Sequence, residues 1–171
     1  MTTTDPPEDL AANQHFDQRV TAWGLEMRAV HQRLRDTLQF AREAVEDGSE
    51  TDSLAKNLEL FCWGFCGALT GHHGSEDATL FPLLLRRAPE LAGTVQKLVQ
   101  DHNMLALLIG DLEFALAATS EQAILLRHLD GIEAVMETHF RFEEKQLVEV
   151  LDEMADLIGS LNRTALFGPI A

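Results

Sequence analysis

Apolar residues recur along this chain at helical spacing. Between residues 14 and 46 there is no proline, and Val20, Met27, Val30, Leu34, Leu38, Ala41 and Val45 fall on one stripe, so this stretch is predicted to be a first helix. The turn-forming run at residues 47–52 ends it and offers Asp and Ser caps to a second helix, from about Ser53 past Glu76 towards Arg87. That helix carries Leu54, Leu58, Phe61, Phe65, Leu69 and Leu80 on its apolar side, with Pro82 expected to bend or interrupt it. Pro89 and Gly93 mark the next turn. A third helix runs to about Ala118 with Val95, Leu98, Leu105, Ile109, Leu112 and Leu116 inward. A fourth begins at residues 119–121 and fades near Gly159, burying Ile132, Val135, Met136, Leu147, Val150, Leu151 and Met154. No strand-like alternation is present. Four long helices with short connections predict an all-α, up-down antiparallel four-helix bundle over residues 13–158, with a mobile tail at 1–12 and an irregular tail at 159–171.

Several polar residues interrupt these apolar stripes. His31 shares a face with Met27, Leu34 and Leu38; His102 lies among Leu98, Leu105 and Ile109; His139 lies among Ile132, Val135 and Met136. The second helix offers His72 and His73, and Glu76 follows His72 by one helical turn, as Glu143 follows His139. One inward histidine is ordinarily a core residue satisfied by a hydrogen bond. Inward histidines on all four helices are different, because burying several imidazoles and carboxylates together is costly without a bound cation. Counted from the connecting turns, His31, His72, His102 and His139 also fall at about one level of the bundle. The two His/Glu pairs suggest two metal ions, and an imidazole and carboxylate set without thiolate suits iron or manganese better than structural zinc. Glu144 sits about 100° round from Glu143 and faces away from the core, so Glu143 is the preferred donor.

Composition narrows the partners. Among 171 residues the net charge is -15, which repels nucleic-acid phosphates and anionic lipid. No leader pattern or membrane-length apolar run occurs, and Cys62 and Cys66 form neither a redox pair nor a disulfide framework, so a reducing cytoplasm is the expected location. The cysteines read as small core residues. Trp23, Trp63 and the nine phenylalanines read mainly as core, while His15 and His128 fall outside the site.

His31, the segment GHHGSEDATLFP at residues 71–82, Asp101-His102-Asn103, and HFRFEEKQL at residues 139–147 follow one another in an order that resembles the hemerythrin-like family with the HHE cation-binding motif, over about residues 15–155. The resemblance implies a hemerythrin-like bundle holding two non-heme iron ions, bridged by carboxylates and an oxo or hydroxo group. It implies reaction with dioxygen, peroxide or nitric oxide. Because the family contains carriers, sensors and enzymes, activity does not follow from fold. Oxygen-carrying hemerythrins place two histidines four apart on the third helix, whereas here His102 is followed by Ala106, and His73 is the nearest replacement. Four histidines with two bridging glutamates and a bridging oxygen leave one vacancy on each iron and favour catalase- or peroxidase-like turnover. A fifth histidine leaves one vacancy in all and makes an oxygen carrier or an iron and oxygen sensor plausible.

Overall fold

A computed structural model describes residues 22–47, 52–119, 121–154 and 162–171. Its elements are helical throughout: α1 (Ala22–Glu46), α2 (Asp52–Ser75), a π-helical turn (Glu76–Leu80), α3 (Phe81–Arg87), a 3-10 turn (Pro89–Leu91), α4 (Ala92–Ala118), α5 (Gln122–Glu153) and α6 (Arg163–Phe167). No strand occurs among the described residues, and no helix there is long and apolar enough to cross a membrane.

Among the described residues the long helices bury most of the stripes their spacing predicts, while the side chains of Leu54, Leu58 and Phe61 lie outside those described and Leu116, Val135 and Val150 are half-buried. Met27, Val30, Leu34, Leu38, Ala41 and Val45 of α1 are buried, as are Val95, Leu98, Leu105, Ile109, Leu112 and Ala115 of α4. In α4 the positions from Val95 to Leu112 alternate three and four residues apart, which keeps one seam facing its neighbours, and His102 occupies one of them. His139 and Glu143 take equivalent places in the buried stripe of α5 between Met136 and Leu147. The α1 helix packs on α2 and α5, and α4 packs on α5 and α2, forming a helical bundle around a single apolar core. At one end α1 and α5 approach so closely that a Cβ on Gly24 would lie 2.6 Å from Val148, while the Gly24 amide donates to Asp152 at 3.0 Å.

Pro82 acts through the turn that precedes it. Lacking an amide hydrogen, it cannot bond the carbonyl four residues back, and the Phe81 N–H instead bonds the Glu76 carbonyl five residues back. The long second segment therefore continues through a single π turn instead of stopping.

Two expectations change. The tail at 159–171 is not wholly irregular: Asn162 accepts the Ala165 amide at 2.7 Å to cap α6, whose Leu166 and Phe167 are fully buried. A five-residue helix is too short to show periodicity, so its burial left no pattern. Trp63, Phe40 and Phe114 are exposed because they lie beside, not on, the stripes of Cys62, Leu38 and Leu112. The expected tail at 1–12, the start of the first helix at 14–21, His15 and the end of the fourth helix at 155–159 lie outside the described residues.

Candidate metal centre

His31 comes from α1, His72 and His73 from the end of α2, Glu76 from the π turn, His102 from α4, and His139 and Glu143 from α5. All seven are buried, five of them completely. They form two adjoining groups, His31, His72, Glu76 and Glu143 in one and His73, His102 and His139 in the other, with the donor atoms of each group within 4.8 Å of one another.

The two carboxylates lie between the groups. Glu76 Oε1 is 3.3 Å from His72 Nε2, while its Oε2 is 3.5 Å from His102 Nε2. Glu143 Oε2 is 3.3 Å from His31 Nε2 and 3.6 Å from His139 Nε2. The i, i+4 spacing predicted to put each glutamate on its histidine's face does so, and each carboxylate also reaches a histidine on another helix.

The outer edges of the imidazoles are occupied. His31 Nδ1 lies 2.8 Å from Glu144, His72 Nδ1 lies 3.0 Å from the Phe167 carbonyl, and His102 Nδ1 lies 2.9 Å from Asp77. Donation of Nδ1–H to these oxygens leaves the Nε2 lone pairs directed inward, the tautomer a metal requires. His139 Nδ1 is nearest Asp101 at 3.6 Å, beyond hydrogen-bond reach, and its Nε2 lies 3.2 Å from His102 Nε2, where it donates when no metal intervenes.

Inside, the polar atoms are orphaned. Nε2 of His31, His72 and His73 and all four oxygens of Glu76 and Glu143 are buried without a hydrogen-bond partner among the described residues. Native interiors leave only a few such atoms, and scattered, so seven facing one another fit the donor set of a cation. Burial pushes His72 down to about 3 and His139 down to about 4, and it holds His73 well below the usual histidine range. Burial, then the charge of Glu143, holds Glu76 well above the usual carboxylate range. Burial opposes the charged form of Glu143 too, yet His31 and the surrounding imidazoles outweigh it and bring that carboxyl down to about 2. His31 goes the other way: burial is overcome by Glu143 and Glu144, and its pKa is raised. Imidazole and carboxylate donors, with no thiolate among them, suit iron or manganese.

The family model for the hemerythrin HHE cation binding domain matches residues 26–151. The chain belongs to this family. The match takes in every one of the seven clustered residues and stops before α6. No curated protein and no solved structure gave a match.

The structure brings the predicted inward residues together, including His73, which stacks on His102 with ring centroids 4.0 Å apart. The sequence reading set Glu144 aside as facing away from the core, and Glu144 is indeed partly exposed, but its carboxylate holds His31. It assigned no role to Asp77, to the Phe167 carbonyl or to Phe140, whose ring stacks on His31 at 3.9 Å and meets His72 edge-on at 6.0 Å. A carboxylate directly after Glu76 was the available signal for Asp77; a backbone carbonyl leaves none. His128 is partly buried and belongs to neither group, and Cys62 and Cys66 are buried, free thiols whose pKa values burial raises to about 11 and about 12.

Proposed function

We propose that this chain is a cytoplasmic single-domain protein, an up-down antiparallel four-helix bundle over residues 13–158, which holds two iron ions and binds dioxygen or a similarly small ligand. His31 and His72 would hold one ion and His73, His102 and His139 the other, with Glu76 and Glu143 shared between them. Such an iron pair supplies a redox-active centre able to bind and reduce dioxygen, peroxide or nitric oxide.

The observation that carries the choice among these is His73. Its Nε2 is buried, lacks a hydrogen-bond partner among the described residues and sits with those of His102 and His139. Two octahedral metals offer about twelve positions, and five imidazoles with two shared carboxylates and one shared oxygen leave about one open. This count supports reversible binding of one small ligand, whereas the four-histidine count had favoured peroxide turnover. The two-histidine group is the emptier side. There Phe140 lies against both His31 and His72, an apolar wall that keeps water from the donors. Full burial of His31, His72, Glu76 and Glu143 suits a ligand of a few atoms.

The test is elemental analysis of protein purified without added metal, followed by oxygen titration of the reduced, iron-loaded form. Two irons per chain and a coloured complex that disappears on degassing are expected. Zinc or no metal would overturn the iron reading; rapid peroxide consumption with no reversible complex would overturn the binding reading in favour of an enzyme.

A further inference from the structure

The imidazole of His72 is held by a part of the chain that the family match does not include. Phe167 O, from the C-terminal end of α6, accepts His72 Nδ1–H at 3.0 Å in a fully buried contact. Several independent contacts hold that segment down. Leu166 and Phe167 are fully buried, and Phe167 lies 6.2 Å from Trp23 of α1. The Arg33 guanidinium donates to Ile170 O at 2.8 Å, and Glu26 pairs with both Arg33 and Arg163, at 3.3 and 3.5 Å.

The close approach depends on one residue. Gly168 has φ +82°, and a Cβ there would lie 2.6 Å from Gly71 O and 2.8 Å from His72 Cα, both backbone atoms that cannot swing aside. Gly71 answers it from α2, since a Cβ on it would meet Pro169 at 2.8 Å. Two glycines thus let the terminal segment lie directly on the backbone beside His72.

We propose that residues 162–171 form a clasp that positions His72, fixing it through the Phe167 carbonyl in the Nδ1–H tautomer that leaves Nε2 free to bind metal. This rests on His72 being a donor, as proposed above. Phe167 is a positioning residue that acts through His72, and because the contact is made by backbone, the clasp works only while the segment stays docked.

The experiment uses the metal-free full chain with ¹⁵N-labelled histidine. In the wild type, His72 is expected to show a protonated Nδ1 that exchanges slowly and an unprotonated Nε2. Gly168→Ala is expected to speed amide exchange in residues 162–171, to speed exchange of the His72 Nδ1 proton with it and to bring in the Nε2–H form, leaving His102 unchanged. Iron(II) affinity, measured anaerobically, is expected to fall about 10–100-fold, as for other groups that orient a metal-binding histidine. Arg33→Met, which releases the Ile170 edge together with the Arg33–Glu26 pair, carries the same comparison should the glycine variant fail to fold. A loosened segment with an unchanged His72 tautomer would overturn the proposal, and so would a segment whose exchange neither variant alters. If the wild type binds no iron, the functional reading fails, while the tautomer comparison still decides the clasp.

Discussion

Replacing His73 with leucine should move the metal-free and metal-loaded proteins in opposite directions. His73 is 5% exposed, held neutral by burial, and its Nε2 has no hydrogen-bond partner among the described residues. An unsatisfied buried group costs about 1–3 kcal/mol, which leucine, of similar size and apolar, removes. The substitution also forfeits the stacking on His102 at 4.0 Å, a contact worth about 0.5–1.5 kcal/mol. The net gain is about 1 kcal/mol, or about 2–4 °C in the melting temperature of a chain this long. With metal present the sign reverses. Losing one imidazole from the three-histidine group weakens that site, and a 100-fold weaker site forfeits about 2.3 kcal/mol when metal was supplied at a hundred times its original dissociation constant. Differential scanning calorimetry of wild type and His73→Leu, each with chelator and with excess iron(II) under nitrogen, reads both effects. A metal-free variant that melts below wild type would refute the claim that the orphaned imidazole is a cost, and two tightly held irons in the variant would refute its role as a donor.

In the metal-free protein, acid should destabilise: His72 and His139 titrate in the fold near about 3 and about 4 but from 6.5 when unfolded, so the unfolded chain gains protons first and stability falls as pH drops from about 6.5 towards 4. The raised pKa values of His31 and Glu76 work the other way, adding stability as pH falls, but they are two groups against three depressed histidines, and a urea midpoint higher at pH 5 than at pH 7.5 would refute this balance. Asp77→Ala should weaken iron binding about 10–100-fold by freeing His102 Nδ1, while the fold is kept; unchanged affinity in an anaerobic titration would show that Asp77 does not orient it. Leu69→Ala, at a fully buried position, should cost about 2–5 kcal/mol in chemical denaturation, and Trp63→Ser, at a position 58% exposed, should stay within about 0.5 kcal/mol; equal losses would contradict the exposure of Trp63.

Much of this architecture is written in apolar spacing, for a physical reason. A long helix must present one stripe to the core, so Met27 to Val45 and Val95 to Ala115 declare their facing, and a histidine on such a stripe declares its own. The same logic separates Glu143, fully buried, from Glu144, turned about 100° towards solvent. It fails where contacts do not follow a stripe. The aromatic rings of Trp63, Phe40 and Phe114 suggested core, but position on the helix outweighed residue type. Docking of α6 depends on a left-handed glycine and on backbone carbonyls, neither of which has a periodicity to read. The π turn follows from Pro82, whose effect was expected as a bend or an interruption; that the ladder would absorb it by one five-residue step required the geometry of Glu76 and Phe81.

The oxygens behind the histidines explain why this centre and the packing of its helices stand or fall together. Each comes from an element other than that of the imidazole it faces: Glu144 of α5 for His31 of α1, Phe167 of α6 for His72 of α2, Asp77 of the π turn for His102 of α4. Each imidazole is therefore oriented only when two elements are docked in register, and a slip at any of these interfaces turns a lone pair away from the donor cluster. In return, a bound cation would satisfy seven orphaned atoms that the apolar core cannot. Metal affinity then includes the free energy of holding α1, the α2 segment, α4, α5 and α6 in one arrangement, so a change at an interface with no ligand in it, such as Arg33 on Ile170, acts on the metal through the orientation of a histidine.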